Sequence, residues 1–285
     1  MMAELPLALF TTLAPIGAGA FIALAVAFFT TKFSDEQLKK IDRMTTSPVG
    51  GLVAGFICAF FHLASPMHAF GVFAGLGASP LSNELLAGVV FAVLAIVYWI
   101  VALAGKLGEG ARKGFAAVVA VMAVVFACFT GAAYMMETIA SWNTPMVPVA
   151  VLGFSLPGGG SLGGLALALS GALEDAAKGG FKMAAPVVLV VGLVLGIAGL
   201  LVQVMSVSGM GNALVDGADL VAAASAPMWI GVVCMVVAAA AAFMALSNSK
   251  STALAVPAPV LAPVGLFAAR LASSPVQRGV GLSLR

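Results

Sequence analysis

Residues 184 to 206, AAPVVLVVGLVLGIAGLLVQVMS, run for 23 positions without a charged side chain. That stretch constrains the chain more than any other feature. A helix rising 1.5 Å per residue needs about 20 residues to cross the ~30 Å of hydrocarbon in a bilayer. Lipid offers the backbone no hydrogen bonds, so only helices and closed barrels span it. Barrel strands would read as segments of about ten residues with alternating polarity, which this sequence lacks. Similar apolar runs lie near residues 7 to 30, 49 to 70, 83 to 105, 115 to 136, 147 to 171 and 221 to 246. An eighth, near 252 to 271, contains Pro257, Pro259 and Pro263, breaks that a membrane bundle tolerates. Only 8% of the 285 residues are charged, against about 25% in soluble domains. The expected fold is all-α: a polytopic transmembrane helical bundle of eight spans, forming a single integral membrane domain over residues 1–285.

The few charges sort by loop. Lys32, Lys39, Lys40 and Arg43 fall in the first loop, Lys106, Arg112 and Lys113 in the third, Lys178 and Lys182 in the fifth and Lys250 in the seventh. The second, fourth and sixth carry no Lys or Arg. The positive-inside rule then places the odd loops in the cytoplasm and the N-terminus outside. Arg270, Arg278 and Arg285 run against that rule if the C-terminus is also outside. The start of the chain lacks the positive segment of a cleavable signal peptide, so the first apolar run is expected to remain as a span. A net charge of +2, spread over short loops, gives no basic patch for nucleic acid.

Titratable groups are sparse in such a chain, which draws attention to FHLASPMHAFGVFAGLGASPLSNELLAG at 61 to 88. Pro66 disfavours helix in the residue before it, so span two should stop or kink near Ala64, with His62 in the last turn. The negative end of the helix dipole favours protonated His62 there, making it a plausible proton acceptor. Ser79-Pro80 reads as an N-cap followed by proline at the first helical position, and Glu84 follows one turn later. The two helix ends can thus bring His62 and Glu84 to one outward-side cavity. Plainer uses compete: His62 bonding a carbonyl, Glu84 complementing its helix start, Ser65 and Ser82 acting as caps, His68 solvated at the interface, and Tyr134 with Trp142 in an aromatic belt. The Ala- and Gly-rich spans suit close helix packing.

His62 and His68 lie six residues apart, roughly 240° around an ideal helix, and cannot share a face as haem ligands. Cys58, Cys128 and Cys234 sit in separate apolar runs without CxxC spacing. Neither haem nor any metal is expected.

The motifs HLASPMHAF, GASPLSNELLAG and, more loosely, YMMETIASWNTPM at 134 to 146 resemble the membrane anchor subunit of the dimethyl sulfoxide reductase family of bacterial molybdoenzyme complexes. Beyond residue 150 only length and hydropathy carry the resemblance. One position departs from the family pattern: an Arg typical two residues before the Tyr is Ala132 here. The resemblance implies a haem-less, multi-pass subunit of the bacterial cytoplasmic (inner) membrane. Such a subunit oxidises menaquinol, held as bound substrate, and passes electrons to an iron–sulfur subunit that feeds a molybdopterin catalytic subunit. It is a non-catalytic anchor that contributes the quinol oxidation site to an oxidoreductase. His62 and Glu84 correspond to the site His and carboxylate; the expected pocket comprises His62, Ser65, Glu84 and Tyr134.

Three other readings stand beside this one, the plainest being a purely structural anchor that holds catalytic subunits without touching quinol. A polysulfide or nitrite reductase type of anchor would do the same chemistry with other partners. A secondary transporter would place its site at mid-bilayer between broken helices, and Pro157 with Gly158 to Gly160 is its foothold.

Overall fold

A computed structural model describes residues 5–62, 66–137, 139–210 and 216–276; for residues 62, 66–70, 275 and 276 the description is of the backbone. Leu5–Thr30 (α1) is followed by a short polar helix, Asp35–Met44 (α2), and by Thr46–His62 (α3). A 3₁₀ segment, Pro66–Gly75, leads to Pro80–Leu103 (α4) and Glu109–Ala132 (α5). Met146–Leu169 (α6), the short Leu173–Lys178 (α7), Phe181–Ser206 (α8), Gly217–Ser247 (α9) and Pro257–Val276 (α10) complete the path. Among the described residues eight helical stretches are long and apolar enough to cross a membrane, and no strand accompanies them. The protein is an all-α polytopic bundle.

α1 is the hub. About 78% of its apolar stretch is buried, against 61% for α6 and less for every other span. Two aromatic layers surround it, with Phe21 edge-on to Phe91 and to Tyr98, and Phe10 edge-on to Phe56. Small residues let α6 touch α1 backbone to backbone, since a Cβ on Gly159 would lie 2.2 Å from the Ala20 nitrogen. Without a hydrophobic drive between helices in lipid, such close packing is a main source of their association.

At the end of the bundle remote from residue 5, α2 is an amphipathic helix where the pattern of apolar runs suggests only loop. Ser34 caps it in a reciprocal box with Gln37, which satisfies two otherwise orphaned donors. Asp42 on α2 forms a bidentate ion pair with Arg112 on α5, both buried. The Arg112 guanidinium also lies 5.5 Å from the centre of the Phe28 ring. Arg112, a loop charge by sequence, is therefore an internal fastener that ties α2 to the spans.

The described part of α3 ends at His62, close to the stop expected before Pro66, although the apolar run itself extends to about residue 70. Proline at 66 has no N–H to donate and disfavours helix in the residue before it, which favours a stop here. The chain goes on from Pro66 as 3₁₀ turns.

Candidate functional site

The polar groups of the 61 to 88 segment are positioned by the entry into α4. Ser79 caps α4, its side chain accepting from the Ser82 N–H, and Pro80 takes the first turn. Ser82 Oγ in turn donates to the Val72 carbonyl at 2.6 Å, fastening the 3₁₀ segment to α4. The Gly77 N–H donates to Asn83 Oδ1 at 2.8 Å. Gly77 has φ +83, a left-handed conformation that a residue with a Cβ adopts only under strain. This clasp fixes the start of α4, so Glu84 points into the protein with 6% of its surface exposed. Its Oε1 atom has no hydrogen-bond partner among the described residues.

Glu84 lines a cavity of about 520 Å³ at the end of the bundle where α1 begins. That volume falls within the range of sites that hold small organic ligands. The walls are mostly apolar: Leu7 and Phe10 of α1, Phe56, Ala59 and Phe60 of α3, and Leu81 and Leu85 of α4. Polar groups enter from the connection after α5 and from α10, namely Tyr134, Trp142, Arg270, Ser273 and Ser274. A smaller void of about 40 Å³ among α1, α6, α8 and α9 has apolar walls apart from Ser161.

Tyr134 and Trp142 are each 7% exposed. They form the cavity's inner wall and face each other edge-on, ring centres 4.9 Å apart. The aromatic-belt expectation does not hold for them, because the connection between α5 and α6 folds back over α10 and takes both rings inward. Trp142 Nε1 donates to the Ser273 carbonyl at 3.3 Å. Burial pushes the Tyr134 phenol above its usual range, against a smaller opposing pull from Arg270, so it is a protonated donor at neutral pH.

Arg270 has the sequence position of a tail charge. It belongs instead to α10 and reaches the cavity. Its Nε donates to Thr11 Oγ1 at 3.1 Å, and its guanidinium carbon lies 4.4 Å from the centre of the Tyr134 ring. Thr11 Oγ1 donates its own proton to the Leu7 carbonyl at 3.0 Å, leaving the oxygen free to accept from Arg270. Among the described residues no ion pair within 4 Å joins Arg270 to Glu84.

Of the four residues expected in the pocket, Glu84 and Tyr134 line this one cavity. His62 is the last residue of α3, two positions beyond the cavity-lining Phe60, and its side chain is outside the described residues. Ser65 is outside them altogether. Sequence reasoning misses Arg270 and Trp142. The signal for Arg270 is a cation at the edge of the last span, on the side where loop charges predict none. Among the described residues no three His, Cys, Asp or Glu side chains come together in a metal-binding group. Pro157 and Gly158 to Gly160 lie inside the continuous helix α6, which removes the broken-helix feature of a transporter.

A multi-pass helical bundle with a mostly apolar cavity at one end defines the class: an integral membrane protein. Residues 1–279 match the family described as DMSO reductase anchor subunit (DmsC), and the protein belongs to that family. It is 31% identical over 169 residues to the C subunit of anaerobic dimethyl sulfoxide reductase from Escherichia coli (strain K12), covering 59% of each sequence. Over 140 residues it is 31% identical to the anaerobic dimethyl sulfoxide reductase subunit YnfH of the same organism, 49% of each sequence. The C subunit of the Haemophilus influenzae reductase is 30% identical over 143 residues, which is 50% of this protein and 51% of that one. The matched regions thus span about half to three fifths of these relatives' lengths.

Proposed function

We propose that this protein is the membrane anchor of an anaerobic respiratory molybdoenzyme complex of the dimethyl sulfoxide reductase type, and that it binds and oxidises menaquinol in the cavity lined by Glu84. The supporting observation is the buried, unpartnered Glu84 oxygen in a 520 Å³ apolar-walled cavity beside the end of α3. An ionisable group inside a span is costly unless it has a use.

Quinol oxidation breaks two O–H bonds, releases two protons and sends two electrons to an acceptor. His62 takes the first hydroxyl proton as general base. Glu84 orients the ring and relays protons toward the surface of the bundle where α1 begins. The apolar walls hold the ring and the start of the isoprenoid tail, while Ser65 and Tyr134 complete the pocket. The electrons pass to an iron–sulfur subunit docked over the same surface, and from there to a molybdopterin catalytic subunit. In this reading the complex lies in the bacterial cytoplasmic membrane with the N-terminus of this protein outside. Protons released on that side make the oxidation step itself non-pumping.

The test is oxidation of a soluble quinol analogue by membranes carrying the assembled complex, comparing wild type with His62→Ala and measuring attachment of the partner subunits. Loss of quinol oxidation with attachment intact is the expected result. Unaltered oxidation would move the base elsewhere, and no reaction in wild type would leave the protein an anchor alone.

A further inference from the structure

The cavity holds two groups that do not pair with each other within 4 Å among the described residues. Glu84 presents a buried side-chain oxygen, Oε1, with no hydrogen bond among the described residues, and the Thr130 hydroxyl lies near the group. Arg270 presents a guanidinium with no carboxylate within 4 Å among the described residues. Both line the same space, and each is expensive at the edge of a bilayer unless something compensates it.

Arg270 is also held in place. Its Nε is bonded to Thr11 on α1 and its flat face rests against Tyr134, a cation–aromatic arrangement that favours the charged head. These contacts engage Nε and one face of the fork; the terminal amino groups carry further N–H donors, for which the Tyr134 hydroxyl is one acceptor and a ligand in the cavity another.

The occupant that satisfies both groups accepts from a cation and donates to a carboxylate. A phosphate or other anion would suit Arg270 but would lose its hydration among walls that are mostly apolar. A purely apolar lipid tail would suit neither. A neutral aromatic diol suits both, and its ring matches the apolar walls. Resting on the quinol reading given above, we propose that Arg270 is a head-group-binding residue that donates to a ring oxygen of the bound quinol, while Glu84 accepts from a quinol hydroxyl.

Arg270 acts in this step only as a hydrogen-bond donor. When the quinol is oxidised its two hydroxyl protons leave to acceptor groups and its two electrons leave to oxidised iron–sulfur centres of the partner subunit. The product quinone keeps its two carbonyl oxygens, and Arg270 donates to one of them as before. Arg270 needs only an oxygen and therefore binds quinol and quinone alike.

That equal recognition is measurable in the assembled complex with a short-chain naphthoquinol as substrate and its naphthoquinone as product inhibitor. Arg270→Gln is expected to raise the KM for the quinol tenfold or more and the inhibition constant of the quinone by a similar factor. Arg270→Lys keeps the charge without the fork and should recover part of both. Thr11→Val releases Nε and should weaken both severalfold. Wild-type values of both constants in Arg270→Gln would overturn the inference while leaving the quinol reading intact. If that variant does not assemble, unchanged constants in both Arg270→Lys and Thr11→Val overturn it equally. A wild-type complex that fails to oxidise naphthoquinol would sink the underlying reading instead.

Discussion

Glu84 shows how much one residue's setting decides. A carboxylate one turn into a helix ordinarily complements the positive helix end and stays in water. Here the Ser79–Ser82 clasp turns it inward, where one oxygen has no described partner. Glu84→Gln preserves shape and removes the proton acceptor. It should lower kcat/KM for a quinol analogue by about 10²-fold, the lower end of general acid–base contributions, while partner attachment is unchanged. A loss below about threefold would show that the carboxylate has no part in proton movement. Glu84 is legible in the sequence because a lone carboxylate beside an apolar run stands out. Arg270 is not, since a cation at the edge of the last span reads as a tail charge. Its hydrogen-bond partner Thr11 lies 259 positions away, beyond any local pattern.

Among the elements, the long spans are legible because each is a run of apolar residues that only a helix can carry through lipid. Their ends are harder to place from the apolar runs alone, since the run through α3 continues past His62 and only Pro66 marks the stop. α2 carries a readable signal, Ser34 followed three residues later by Gln37, a capping box that marks a helix start. Its role is not readable, because the Asp42–Arg112 pair joins residues 70 positions apart. Removing one partner of a buried pair strands the other charge and costs about 3–5 kcal/mol, whereas replacing both with apolar residues is often neutral. Asp42→Asn should therefore lower the thermal stability of the detergent-solubilised complex clearly. A double variant, Asp42→Leu with Arg112→Met, should recover most of the loss. A single variant as stable as wild type would show the pair to be incidental. The exposed pairs Glu36–Lys40 and Glu174–Lys178 are one helical turn apart and should matter little, since water screens them.

For the bundle as a unit, the contact between Arg270 near the end of α10 and Thr11 near the start of α1 brings both ends of its path to one face. The cavity opens beneath that face, and the loop cations gather at the other. Arg270 leaves the charge count once it is recognised as a cavity residue, which weakens the conflict between eight spans and the positive-inside rule. Reporter fusions after residue 276 and in the loop near Lys106 should give opposite sidedness, with the former outside. The same sidedness for both would reject the eight-span path.

That the protein is a membrane bundle, roughly where it crosses, and that His62 and Glu84 lie at neighbouring helix ends can all be read from the order of residues alone. Those properties follow from composition and from the local conformational limits of proline and serine, which act over a few residues. It took the packed bundle to turn Tyr134 and Trp142 inward, to make Arg112 an internal fastener, and to bring Arg270 into one cavity with Glu84. These outcomes depend on which helices touch. In lipid that choice rests on close fit between small residues and on rare polar contacts far apart in the chain, and no short stretch of sequence encodes it.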